Sequence, residues 1–252
     1  MNKIISFLSL IRFTNLLFVI AIQVLIKYFL INSYLESYCL SNLDFSIYLI
    51  ALISIVAGGY IINDIYDIEI DKINKPKTRI IEKEISKVSA TNLYHSLNFL
   101  GISSGFYTAL QVNRLWFVFI FIFFCLSLWK YSKDYKTKFL KGNLQVALLT
   151  ALSIINLALF DLVPLEIINK NGSSIIIYII IIYAGFSFIT TLIREIIKDL
   201  EDSEGDQKMG ANTLAINYGI IRTKNIVAFL ILIPIIGVAF FQYFQYSVLK
   251  ST

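Results

Sequence analysis

The sequence predicts an all-α fold: a polytopic transmembrane helical bundle of about seven helices, forming a single domain over residues 1–252. Three observations carry this. Of the 252 residues, 57% are hydrophobic and 15% charged, and the mean hydropathy of +0.73 lies outside the balance of water-soluble domains. The apolar residues fall in runs of roughly 20, the length a helix needs to cross the hydrocarbon core. Lys and Arg collect in alternate connections between those runs.

The first run, residues 14–31, follows the basic segment MNKIISFLSLIRF; no small-residue cleavage site separates them, so the run reads as a retained span rather than a signal peptide. The second, 46–63, has no charge until it meets the stretch NDIYDIEID. The third, 91–110, carries Asn92, His95, Asn98 and two glycines, and is expected to face protein or a cavity on one side. Runs at 115–131, 142–160, 174–194 and 225–246 complete the set. All are read as helices because an isolated strand leaves its backbone groups unsatisfied in lipid. Cys39 and Cys125 are too few and too separated in context for a disulfide or metal framework.

Charge orients the bundle. Of the 22 Lys and Arg residues, Lys3 and Arg12 precede the first run; Lys72, Lys75, Lys77, Arg79, Lys83 and Lys87 follow the second. Lys130, Lys133, Lys136, Lys138 and Lys141 follow the fourth, and Arg194, Lys198, Lys208, Arg222 and Lys224 lie between the sixth and seventh. Only Lys27, Arg114, Lys170 and Lys250 fall on the other side. The expectation is an integral protein of a bacterial inner membrane, N-terminus and basic loops cytoplasmic and C-terminus outside. The net charge of +5 is then topology plus an anionic ligand, with no nucleic-acid partner.

The acids need a further reason. Asn63-Asp64-x-x-Asp67-x-x-x-Asp71 and Lys198-Asp199-x-x-Asp202-x-x-x-Asp206 repeat one spacing in matching connections. On a continuous helix Asn63, Asp67 and Asp71 share one stripe, and Asp199, Asp202 and Asp206 fall close together on another. Like charges so spaced weaken a helix and call for a cation. Mg²⁺ suits them, because it takes oxygen ligands and is commonly shared between carboxylates and substrate phosphates. Asn63, Asp64, Asp67, Asp71, Asp199, Asp202 and Asp206 are the candidate ligands, with Asp67, Asp71, Asp202 and Asp206 foremost. Lys75, Arg79, Lys136 and Lys138 are candidate partners for phosphate oxygens. Gly58, Gly59 and Gly205 are expected to open or end the helices beside the ligand.

With these motifs the chain resembles the UbiA-type intramembrane prenyltransferases, in which an NDxxDxxxD motif ends helix 2 and a DxxxD motif ends helix 6. Here these are Asn63–Asp71 and Asp202–Asp206. Arg12 and Asn15 in IRFTN, and Tyr131 and Lys136 in YSKDYK followed by Gly142 and Asn143, are similar to further family features. NDIYDIEIDKINKP, REIIKDLEDSEGD and the later GANTL look most like the subgroup that attaches geranylgeranyl chains to glycerol-phosphate lipids. Two departures stand out: the chain reads RIIEKE after Lys77-Thr78 where relatives carry Pro and Gly, and it has seven runs where the family has eight or nine, the last hairpin shortened or lost.

The resemblance implies a polyprenyl diphosphate whose head, bridged by Mg²⁺, meets Arg12, Asn15, Asn63, Arg79, Lys136 and Lys138 at the cytoplasmic rim while its tail lies among membrane lipids and helices. The acceptor it implies is geranylgeranylglyceryl phosphate or a similar lipid; the alternative is an aromatic acceptor or quinone precursor such as 4-hydroxybenzoate. Aromatic faces at Tyr60, Tyr66, Tyr94, Tyr131, Phe186 and Phe188 are available to an allylic cation. Glu195 is expected to pair with Arg194 or Lys198, and His95 to be structural. A non-enzymatic cation transporter is the rival reading. It needs acids along a path through the membrane, whereas only Glu36, Asp44, Asp161 and Glu166 lie away from the basic side.

Overall fold

The structure, a computed structural model, describes residues 3–35, 38–74, 76, 78–165, 173–208 and 210–251. A short helix α1 (Lys3–Leu10) precedes α2 (Phe13–Tyr34), α3 (Asn42–Tyr66), the short α4 (Ile68–Asn74), α5 (Lys87–Gln111) and α6 (Leu115–Tyr135). Then come α7 (Lys141–Asp161), α8 (Ser173–Glu201), the short α9 (Ser203–Lys208) and α10 (Leu214–Ser251). The described residues form no strand, and each of the seven apolar runs lies on one long helix. Six of these are long and apolar enough to cross a membrane. The remaining one, α5, has the length but carries the polar residues noted above.

Local chemistry sets the starts of the helices. Ser41 caps α3 by accepting from the Asp44 amide at 3.2 Å, and Ser86 caps α5 by accepting from the Ser89 amide at 3.1 Å. Helices α3 and α5 pack most extensively, α7 pairs with α8, and α10 leans on α8. Small residues allow α5 to approach both α3 and α6. A Cβ at Gly101 would stand 2.6 Å from the Ile55 side chain and 3.1 Å from the Ala51 carbonyl oxygen, and one at Gly105 would enter the Phe121 ring. Gly105→Ala is therefore expected to cost about 1–3 kcal/mol through overpacking. The check is thermal unfolding in detergent; an unchanged midpoint would mean that the α5–α6 contact has room for a methyl group.

Gly58 and Gly59 do not open α3 as anticipated. Both are helical and buried, and their missing side chains admit Asn98 of α5 and Leu128 of α6.

The end of the bundle remote from the acidic motifs closes on aromatic rings: Phe160 lies 5.5 Å from Tyr48, 4.8 Å from Phe117 and 5.4 Å from Phe121 between centroids. Beside them stands Lys27, at the end of the bundle opposite the acidic motifs as its position in the first run implies. Its ammonium is fully buried 2.6 Å from an equally buried Asp161 carboxylate, and it also donates to the Leu40 carbonyl at 2.9 Å. The second Asp161 oxygen accepts the Leu40 amide at 2.7 Å. Two helices and a connection are thus tied by one neutral ionic group. Lys170, Glu36 and Glu166 lie outside the described residues.

Candidate active site

Both acidic motifs end a long helix at the same end of the bundle, and both interrupt it at the middle aspartate. Helix α3 stops at Tyr66, Asp67 leaves helical geometry at φ −87°, ψ 2°, and α4 resumes at Ile68. Helix α8 stops at Glu201 and α9 resumes at Ser203, with Asp202 between. The hydrogen-bond ladder survives both breaks: the amides of Asp67 and Asp71 donate to the carbonyls of Asn63 and Asp67 at 2.9 and 2.8 Å, and those of Asp202 and Asp206 to Lys198 and Asp202 at 2.9 and 3.1 Å. The expected stripes therefore persist in spacing, although neither helix is continuous.

Asn74 joins the two motifs, donating from Nδ2 to the Asp202 carbonyl at 3.2 Å and accepting the Gly205 amide at 3.0 Å. A Cβ on Gly205 would collide with that amide group. Gly205 thus sits inside α9 to admit Asn74, while the helix opens three residues earlier, contrary to expectation.

Arg12 fills the break between α1 and α2 in a left-handed conformation, φ 51°. A non-glycine residue there costs about 1–2 kcal/mol. Its guanidinium reaches Asp64 at 3.1 Å and lies over the Tyr60 ring at 4.7 Å. The Asn15 amide approaches the Tyr60 hydroxyl at 3.4 Å.

Asp67 is buried beneath two donors, the Asn63 side-chain amide at 2.7 Å and the Lys136 ammonium, which forms an ion pair with it. Lys136 follows a π-helical turn, Tyr131–Tyr135, its amide bonding to the Tyr131 carbonyl at 3.0 Å. Such turns recur at functional sites, where they re-aim side chains. Asp199 accepts from Asn143 at 2.8 Å. Asp206 lies within electrostatic reach of Asp202, Asp67, Lys136 and Lys198; burial pushes its carboxyl up to about 6, the two acids adding and the lysines opposing.

Two expected cation partners stand elsewhere. Arg79 turns toward Glu82 at 3.9 Å, in a loop where Glu82 takes a left-handed φ of 65°. Lys138 is exposed above the Tyr135 ring at 5.5 Å. Lys75 lies outside the described residues. No three acids, cysteines or histidines among the described residues converge closely enough to make a ready metal cage.

A cavity of about 280 Å³ opens beside these groups. Arg12, Asn15, Tyr60, Asn63, Arg194, Glu195 and Lys198 line its polar end, with buried Tyr131 alongside. Leu52, Val56, Phe124, Leu128 and Leu149 continue it as an apolar slot between helices. Arg194 pairs with Glu195 at 3.3 Å, as anticipated. Arg194 and Lys198, which the sequence shows only as charges of a basic connection, stand in the pocket wall; their i, i+4 spacing immediately ahead of Asp199 puts them on one face. Of the aromatic candidates, Tyr60 and Tyr131 face this pocket; Tyr66 and Tyr94 line another groove, and Phe186 is exposed.

Among the described residues, an all-helical bundle with six membrane-length helices holds a pocket that is cationic and acidic at its mouth and apolar along its length. The chain belongs to the UbiA prenyltransferase family, whose model matches residues 24–249. It is 39% identical over 192 residues to the digeranylgeranylglyceryl phosphate synthase of Sulfurisphaera tokodaii, covering 75% of this chain and 63% of that protein. To the protein of the same name from Saccharolobus solfataricus it is 36% identical over 235 residues, 92% of this chain and 75% of that one. A solved structure from a study of digeranylgeranylglyceryl phosphate synthase in membranes superposes with a TM-score of 0.61 at 28% identity, covering 94% of this chain and 76% of that one. The chain thus spans less than two thirds of the length of the Sulfurisphaera relative.

Proposed function

We propose that the protein transfers a prenyl group, geranylgeranyl, from its diphosphate to the hydroxyl of a glycerol-phosphate lipid such as geranylgeranylglyceryl phosphate, with the site on the cytoplasmic side. The observation that supports this reading most is the two-ended pocket, cations and acids at one end and an apolar slot at the other. The relatives' shared name supports the acceptor class.

The residues divide the work. Arg12, Lys136, Arg194 and Lys198 supply positive charge for the diphosphate, which leaves with the electron pair of the C–O bond. The walls formed by Leu52, Val56, Phe124 and Leu149 hold the tail straight and keep water from the reacting carbon. Tyr60 and Tyr131 offer ring faces where positive charge develops on that carbon. The acceptor oxygen forms the new C–O bond and releases its proton.

The donor set also suits a hard divalent cation. Asn63 Oδ1 is buried without a hydrogen-bond partner beside Asp67, and Asp206 lies within electrostatic reach of both Asp67 and Asp202. Asn63, Asp64, Asp67 and Asp71 of one motif, with Asp199, Asp202 and Asp206 of the other, are the residues proposed to hold Mg²⁺. When bound, the ion supplies Lewis-acid neutralisation of the diphosphate oxygens.

Labelled geranylgeranyl diphosphate, Mg²⁺ and a panel of acceptors test the reading. Transfer to geranylgeranylglyceryl phosphate is expected; transfer to 4-hydroxybenzoate instead would replace the acceptor, and no consumption of any prenyl diphosphate would remove the enzyme reading. Metal binding has a readout without turnover. Mg²⁺ is expected to raise the unfolding temperature of the wild-type protein and to do so less in Asn63→Leu, because a ligand that binds only the folded state stabilises it. Equal shifts in the two proteins would remove Asn63 from the metal set.

A further inference from the structure

We propose that the protein carries a second, non-catalytic lipid site: a groove between α3, α5 and α6 that seats the headgroup of an anionic phospholipid at the membrane surface. The groove encloses about 540 Å³ and is lined by Tyr66, Lys87, Tyr94, His95, Cys125 and Trp129, among others. It lies at the same end of the bundle as the acidic motifs, since Tyr66 closes α3, Lys87 opens α5 and Trp129 is near the end of α6. Yet it is separate from the pocket described above. On α3 the groove uses Ile62, Ile65 and Tyr66, whereas the pocket uses Leu52, Val56, Gly59 and Asn63, a face turned by roughly 100° about the helix axis.

Its chemistry is that of a membrane interface. Tyr and Trp gather at headgroup depth because their rings are apolar and their polar atoms remain wet. Here three such residues meet, with the chain's one histidine tilted at 59° to the Tyr94 ring, the centroids 5.0 Å apart. Below them Ile62, Ile65 and Leu126 give the groove an apolar floor that an acyl chain can follow.

Charge selects the headgroup. Lys87 is exposed at the lip, in the first turn of α5, where the helix dipole adds positive potential. Lys133 extends its ammonium over the Trp129 ring at 4.8 Å. Neither lysine has an ion-pair partner among the described residues. Two uncompensated cations around an aromatic, lipid-facing groove favour an anionic phospholipid over a zwitterionic one.

Trp129 makes the site readable. Trp116→Phe leaves it as the only tryptophan of the two, so its fluorescence can be followed in vesicles containing brominated phosphatidylglycerol or brominated phosphatidylcholine at equal mole fraction. Quenching is expected to show a preference of about fivefold or more for the anionic lipid, the factor that one lysine at a membrane surface contributes. Lys87→Gln/Lys133→Gln should abolish the preference, and Lys87→Arg/Lys133→Arg should keep it. Arg222→Gln/Lys224→Gln, which removes equal charge from exposed positions on α10, should leave it intact. Equal quenching by both lipids, survival of the preference in the glutamine pair, its loss in the α10 control, or its abolition by soluble glycerol phosphate would each overturn the proposal. Because no turnover is measured, the outcome is independent of the transferase reading.

Discussion

Asp67→Asn is expected to lower kcat/KM for prenyl transfer by about 10²–10³-fold while leaving the protein folded and membrane-inserted. The size follows from removing one preorganised charge at a site of developing charge, about 3–4 kcal/mol of transition-state stabilisation. The geometry singles out this acid: it is buried, it ends α3, and it is held by Asn63 and Lys136 from two other turns of chain. Asparagine keeps the shape and one hydrogen bond but removes the charge that offsets Lys136 and that the proposed metal would need. Asp202→Asn, at the matching interruption between α8 and α9, should act in the same direction. Steady-state kinetics with unfolding midpoints for both variants make the check; wild-type rates in both would dismiss the two-motif site.

The largest expected effect on stability lies at the other end of the molecule. Asp161→Leu or Lys27→Met alone should destabilise the protein by about 3–5 kcal/mol, because each leaves the other charge buried without a partner. Their combination should recover the larger part of that loss, since removing both charges removes the desolvation cost as well. Recovery will fall short of complete, because Leu40 loses partners for both its amide and its carbonyl. Unfolding in detergent, arranged as a double-mutant cycle, measures the coupling. If the single variants unfold with the wild type, the ion pair is not the tie between α2, α7 and the Leu40 connection.

Much of the site was legible in the chain. The two acidic motifs were found by their shared spacing, and the structure places both at one end of the bundle. Asn15 and Arg12 were found only through resemblance, and both reach Tyr60. Arg79 and Lys138 were assigned to phosphate by charge and proximity alone. Neither converges, because the 79–85 loop turns Arg79 onto Glu82 and the π-helical turn of α6 aims Lys136 inward, leaving Lys138 exposed. Arg194 and Lys198 show the opposite failure: counted as topological charges, they form the pocket wall.

What the amino-acid sequence determined by itself is the set of seven helices, their approximate limits and the repeated acidic motif. These follow from local quantities: the length of each apolar run, the absence of water to satisfy open backbone in lipid, and residue spacing. Only the tertiary structure decided which charges meet. Lys27 and Asp161 are 134 residues apart in sequence, and Lys136 and Asp67 are 69 apart. Neither pairing has a local signal, because an ion pair depends on which helix faces pack, and the hydrophobic pattern of each run is compatible with more than one such packing.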